Sequence, residues 1–249
     1  MIQRRSTIVA GALALATALG AGACGSTTKT APTGSALVAQ ASAAAQAAGS
    51  VSIKIIATQT TGDNRQPTET LTSKISAPAA VQSIRFPAGT AGNLDVMLIG
   101  SVAYVRTDAT TLVKGLGLTK QGAKLYAGQW ISIQQDNPPF SSIASTLTLD
   151  AQLKSFLPAG NKVTVGATKT LRGQRVIPLT GPASASQVKG VGASRLLIDS
   201  ATKLPAAGGV IKSGSGQRVE VVARFSKWAK PVNLTPPTDA IAYTTATKS

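Results

Sequence analysis

The chain contains no histidine, a single cysteine, nine acidic residues against 25 basic ones, and 4% aromatic residues. Without histidine, neither Ser-His-Asp nor Cys-His nucleophilic catalysis can be assembled, and the commonest zinc ligand is missing. The lone cysteine, Cys24, has no partner for an internal disulfide. The acids Asp63, Glu69, Asp95, Asp108, Asp136, Asp150, Asp199, Glu220 and Asp239 are dispersed, and no two of them fall into a metal-loop spacing. A pair of carboxylates for glycoside chemistry would have to be brought together by folding, and no motif accompanies one. The sequence therefore gives no catalytic residue, no metal site and no cofactor site. The scarcity of aromatics means that a core must be built mainly from Val, Ile, Leu and Ala.

The N-terminus carries the first positive signal. Arg4 and Arg5 precede an uncharged apolar run from Ile8 to Leu19, and Gly20-Ala21-Gly22-Ala23 supplies small residues before Cys24. This is the order of a secretory signal peptide, and the run is shorter than the roughly 20 residues a spanning helix needs. Ala21-Gly22-Ala23-Cys24 resembles a bacterial lipobox, whose cysteine receives a diacylglycerol. Segment 1–23 is thus read as a signal peptide. Cys24 is read as the lipidation site that anchors the chain to the extracytoplasmic face of the cell membrane. The alternative is a plain secretory signal with an incidental cysteine.

The net charge is +16. A strongly basic chain often binds nucleic acid, but export excludes that partner. Two readings stand. The basic residues meet an anionic membrane surface, where each contributes on the order of 1 kcal/mol, or they form a solvated surface that keeps the protein soluble.

Residues 24–34 are small, polar and Pro/Gly-bearing, as in a flexible tether. The domain is expected over 35–239, followed by a disordered tail at 240–249. A helix capped by Ser35 should run to Ala48 and stop at Gly49, with Leu37, Val38, Ala41, Ala45 and Ala48 as its apolar stripe. From Val51 the apolar period becomes two, which predicts strands at Val51–Ile55, Thr68–Ile75, Val81–Phe86, Leu94–Ile99, Val102–Thr107 and Trp130–Gln134. Lys114–Gly122 lacks the strand, helix and glycine spacing of a phosphate-cradling loop and is read as a flexible loop. Pro138-Pro139 breaks the pattern. One or two helices are then expected over Phe140–Leu157, with Asp150 able to cap the second. Strands resume at Lys162–Thr168, Arg175–Thr180, Arg195–Asp199, Ala207–Ile211 and Arg218–Phe225. Gly-Gln-Arg-Val occurs at Gly173–Val176 and again at Gly216–Val219, each time as a turn feeding a strand. Trp130 and Trp228 suit core or sheet-edge packing better than ligand stacking. The fold class expected is α+β, a large mostly antiparallel sheet interrupted by a helical insertion.

The C-terminal stretch carries a likeness. Leu196-Leu197-Ile198-Asp199 leads into a threonine-bearing turn and Leu204-Pro205, and a last long strand ends Phe225-Ser226-Lys227-Trp228. The tail Val232-Asn233-Leu234-Thr235-Pro236-Pro237 follows. With the hairpin Leu94–Arg106 and Trp130 ahead of the helical segment, this resembles the mycobacterial lipoproteins of the LppX/LprG group, whose half-barrel is similar to the LolA lipoprotein carriers. The resemblance implies a curved sheet with helices on its concave face and a cavity for acyl chains. It also implies that the protein binds a lipid or acylated glycolipid and helps move it through the cell envelope, with an envelope transporter as a possible partner. Val51, Ile53, Ile55, Leu94, Val96, Leu98, Val219, Val221 and Phe225 are the candidates to line the cavity. The alternative is that they pack against the helices, in a non-enzymatic envelope scaffold with a filled core.

Overall fold

The structure, a computed structural model, describes residues 31–77, 79–86, 92–183, 192–214 and 217–244. Cys24, the signal segment 1–23 and most of the 24–34 tether lie outside the described residues, as does Gly216 of the second Gly-Gln-Arg-Val. One compact unit begins at Pro32.

Helix α1 spans Gly34–Ala48. Its N-cap is Thr33 rather than Ser35: the Thr33 hydroxyl accepts from the Ala36 amide at 3.2 Å, which satisfies one of the free amides of the first turn. Gly49 closes the helix at φ 69°, where a side chain would be strained. Leu37, Ala41 and Ala45, four residues apart, are buried, and the two alanines allow the helix to lie close against its neighbours.

The strands are β1 (Ser50–Thr61), β2 (Asn64–Ser76), β3 (Ala79–Arg85), β4 (Leu94–Ile99), β5 (Val102–Arg106), β6 (Ile131–Gln134), β7 (Thr164–Val165), β8 (Lys169–Leu171), β9 (Gln174–Pro182), β10 (Gly192–Asp199), β11 (Pro205–Gly214), β12 (Gln217–Ser226) and β13 (Ile241–Ala242). They form one sheet in the order β13-β6-β5-β4-β3-β2-β1-β12-β11-β10-β9-β7, with β8 paired to β9. Every pairing is antiparallel except β13 with β6. The fold class is therefore the α+β, mostly antiparallel one expected.

Register places the apolar positions in rows across one face. One row runs Ile133, Ala103, Leu98, Ala80, Ile75, Val51. The next runs Ile131, Val105, Val96, Gln82, Ser73, Ile53, Phe225. The helices cover this face. Helix α1 touches both β1 and β9, which are four strand spacings apart, about 19 Å along a flat sheet. The sheet reaches both sides of one helix by curving around it. A single large core joins Val51, Ile53, Val96, Ile131 and Phe225 to helical side chains such as Leu112, Phe140 and Leu153. Leu37 and Ala41 of α1 sit with Leu179, Leu196 and Ile198 in a second, smaller cluster.

Several elements differ from the sequence reading. The expected loop Lys114–Gly122 belongs to two helices, α2 (Ala109–Leu116) and α3 (Lys120–Tyr126). Asp108 and Thr119 cap them, accepting from the Thr111 and Gly122 amides at 3.0 Å each, and Gly117 at φ 71° separates them. Pro138-Pro139, expected to end the strand pattern ahead of the helices, also begins the first of them: α4 spans Pro138–Thr146 with proline in its first turn, where the missing amide costs nothing. Helix α5 spans Leu149–Lys154 and is capped by Thr148, whose hydroxyl accepts from the Ala151 amide at 3.1 Å; Asp150 lies in its first turn. The strand expected over 162–168 contracts to β7. Ordered structure also extends past the expected boundary at 239, because β13 pairs with β6 and the Tyr243 hydroxyl donates to the Leu116 carbonyl at 2.8 Å.

Candidate functional site

An apolar pocket of about 540 Å³ opens at one end of the helix-covered face. Its volume lies within the roughly 300–1,000 Å³ of small-molecule sites. Ile75, Ala80 and Leu98, cross-strand neighbours on β2, β3 and β4, form one wall. Phe140, Ala144, Leu147 and Leu149, from α4 and the start of α5, form the opposite wall. Ala77, Ala79 and Gly100, at the turns of the β2–β3 and β4–β5 hairpins, leave space where larger side chains would close it. The polar lining consists of Gln46, Gln135, Thr148 and Asp150. Asp150 is paired with Lys154 at 2.7 Å. Such a lining can bury a chain of methylenes by shape and offer hydrogen bonds to a polar group at the mouth. It contains a single carboxylate and no nucleophile–base pair.

All nine residues proposed from sequence lie on the helix-covered face, brought together in adjacent rows. Leu98 lines the pocket. Val51, Ile53, Val96 and Phe225 are buried in the core, with Ile55, Leu94 and Val221 half-buried against it. Val219 is half-buried further along β12, across from Gln59. Sequence reasoning missed Ile75, Ala80, Phe140, Ala144, Leu147 and Leu149. The small residues flanking the β2–β3 turn, 77–80, were the one available signal. Trp228 packs in the core, stacked on Phe225 with ring centroids 6.1 Å apart, and its Nε1 donates to the Pro205 carbonyl at 3.0 Å. Trp130 lies under the Arg106 guanidinium, 4.6 Å from the ring centroid.

A second hollow, on the opposite face, has Asp95 and Asp108 in its wall with Arg85 and Arg106. Both carboxylates are committed. Burial alone would raise Asp95. Hydrogen bonds from Ser83, Arg85 and Arg106 and the Arg85 charge outweigh it and hold the carboxyl below its ordinary range. The two guanidiniums reach it at 2.7 and 2.9 Å. Asp108 is likewise lowered, because the Thr111 amide and hydroxyl outweigh its burial. Neither is the proton-holding acid that glycoside hydrolysis requires.

The Asp95 cluster makes a prediction about stability. A depressed carboxyl stabilises the fold above the unfolded value of about 3.9, and that contribution disappears as pH falls through the depressed value. Asp95→Asn should cost about 2–3 kcal/mol at neutral pH, as expected for lost hydrogen bonds to a charged group. Urea unfolding at neutral and acid pH would check this: the gap between variant and wild type should shrink below about pH 4. A gap that does not change with pH would contradict it.

No family model matches the chain, and no curated protein matches it. Among solved structures the chain is similar to the Mycobacterium tuberculosis lipoprotein LppX, with a TM-score of 0.49 at 16% identity over 81% of this chain and 99% of that one. LprF from Mycobacterium bovis gives a TM-score of 0.48 at 13% identity over 82% and 96%. A LolA superfamily protein from Nitrosomonas europaea gives 0.30 at 9% over 82% and 96%. LppX, which gives its name to the group that the sequence resembles, is one of these structural neighbours.

Proposed function

We propose that the chain is an exported lipoprotein, tethered through a lipid on Cys24, that takes an acyl chain of a lipid or acylated glycolipid into the apolar pocket and helps carry it through the cell envelope. The observation that carries this reading is the pocket itself: an opening of about 540 Å³ lined mainly by Ile75, Ala80, Leu98, Phe140, Leu147 and Leu149. Each buried methylene contributes about 0.8 kcal/mol, so binding requires no catalytic group. Helices α4 and α5 form one wall, so a shift of these two short helices would admit the chain toward the row containing Val51 and Leu98. Release would follow at a partner transporter or an opposing lipid layer. Native mass spectrometry of the exported protein tests the reading: copurified or added acyl lipid should be retained, and a protein that carries neither would refute it.

A second reading is favoured by the packing of Val51, Ile53, Val96 and Phe225 into the core. It makes the protein an envelope scaffold that uses the fold with its interior filled. Empty spectra in the same experiment would support it.

The anchor has its own test. Cys24→Ala should move the protein from the membrane fraction to the medium, followed by immunoblotting of both. An unchanged membrane fraction would show that Cys24 does not hold it.

A further inference from the structure

The helices leave the other face of the sheet uncovered, and its centre is basic. Arg224 on β12 and Lys54 on β1 are direct cross-strand partners. Lys74 on β2 stands one row away, opposite Ser52, and Arg195 on β10 stands opposite Gly209. All four are exposed, and none makes an ion pair among the described residues. Like charges placed opposite one another in a sheet destabilise it, so Lys54–Arg224 is a cost the fold carries with no internal compensation. The acids of this face are spent elsewhere: Glu220 on Arg65 at 3.2 Å and Asp95 on Arg85 and Arg106.

Between Arg195 and the Lys54–Arg224 pair the surface is apolar. Gly209, Val222 and Ile56 follow one another across β11, β12 and β1, and Leu197 and Ala207 form the adjacent row. Val222 is 36% exposed. A hollow of about 390 Å³ lies over Leu197, Ala207, Gly209, Ile211 and Val222, with Arg195 and the Arg65-paired Glu220 also in its lining. The two adjacent glycines of β11 divide the work of the two faces. A Cβ on Gly208 would strike Phe156 on the covered side at 2.8 Å, whereas one on Gly209 would meet its nearest neighbour at 3.4 Å. Space at Gly209 is therefore not needed for internal packing.

We infer that this uncovered sheet face docks on an anionic bilayer surface, with Lys54, Lys74, Arg195 and Arg224 against lipid headgroups and the apolar strip between them at the headgroup boundary. The cations spread over five strands, about 19 Å across, and long basic side chains can lay their stems along apolar surface with the charge extended. Specific protein interfaces are enriched in aromatic residues at their cores, and the outward positions of β10, β11, β12, β1 and β2 hold none. The inference is independent of the pocket, which lies on the other face.

The test is co-sedimentation of the full chain carrying Cys24→Ser with vesicles of phosphatidylcholine alone or mixed with phosphatidylglycerol. Binding to the neutral vesicles sets the contribution of the apolar run Ile8–Leu19; Arg4 and Arg5 add to the increment on adding phosphatidylglycerol in every variant, so the share of it lost with the face cations reads the docking. The increment should vanish at high salt. Lys54→Gln, Lys74→Gln, Arg195→Gln and Arg224→Gln together should reduce it at least about a hundredfold. The same number of substitutions at the exposed Lys114, Lys120, Lys124 and Lys230 should cost several times less. The first variant relieves the Lys54–Arg224 repulsion, so its thermal midpoint should not fall, and a binding loss is not an unfolding loss. The inference is overturned by the absence of an increment, by equal losses in both variants, or by a variant that keeps vesicle binding but loses binding to polyglutamate. The last result would give the face to an acidic protein.

Discussion

Ala144→Trp should abolish lipid retention while leaving the fold intact. Ala144 is half-buried on α4, one turn after Phe140, and lines the pocket beside Leu147. A tryptophan there would project into the space between the α4–α5 wall and the Ile75–Ala80–Leu98 wall. Each methylene kept out of the pocket forfeits about 0.8 kcal/mol, so excluding four weakens binding more than about a hundredfold. The thermal midpoint should move by only a few degrees, because the added ring fills empty space and displaces no core side chain. Val165→Trp, on the exposed strand β7, is the matched control and should bind as the wild type does. Native mass spectra of the three proteins decide it. If Ala144→Trp carries as much lipid as the wild type, the chain is held elsewhere and the pocket loses its role. The adjacent rows of Val51, Ile53 and Val96 would then be the next place to look, since helix movement could expose them.

The sheet was legible because apolar residues recur at every second position of its strands. Val51, Ile53 and Ile55 on β1, and Val219, Val221, Ala223 and Phe225 on β12, point to one face, and β1 and β12 are neighbours in register. A period of two assigns residues to faces reliably. It does not say which of them border empty space. The pocket is formed by residues from five stretches of sequence, the end of α1, two hairpin turns, the end of β6 and the α4–α5 junction, and its emptiness depends on alanines and two glycines, which leave no apolar signal. The α2–α3 pair was illegible for another reason. Threonine and glycine depress helix propensity, and these short helices are held by the caps at Asp108 and Thr119 and by the burial of Leu112, Leu116 and Ala123. Strand β13 is two residues long, too short to show any period. The basic face was visible as net charge but not as a surface, because Lys54 and Arg224 are 170 positions apart in the chain and become neighbours only through the β1–β12 pairing.

Phe156→Ala should be the most destabilising single change in the core, costing about 3–5 kcal/mol. Phe156 follows α5 and is 3% exposed. Its ring meets Phe225 edge-on at 5.8 Å between centroids, and its carbonyl accepts from the buried Ser194 hydroxyl at 2.8 Å. It thus pins the helical segment to β10, β11 and β12 at once. In a domain of this size, about 2–4 °C is lost per kcal/mol, so calorimetry should show the midpoint falling by roughly 6–20 °C. Gly208 supplies the complementary half of the contact. A Cβ there would stand 2.8 Å from the Phe156 Cβ and 3.1 Å from its ring, so Gly208→Ala should cost about 1–3 kcal/mol by overpacking. The double variant separates the two sources of that cost. Alanine at 156 keeps its Cβ, so if the backbone approach sets the limit, the Gly208→Ala penalty persists in the Phe156→Ala background and the two costs nearly add. If the ring sets it, the second substitution fills the cavity left by the first and restores stability. The shorter of the two distances favours addition. A double variant more stable than Phe156→Ala alone would place the constraint on the ring instead.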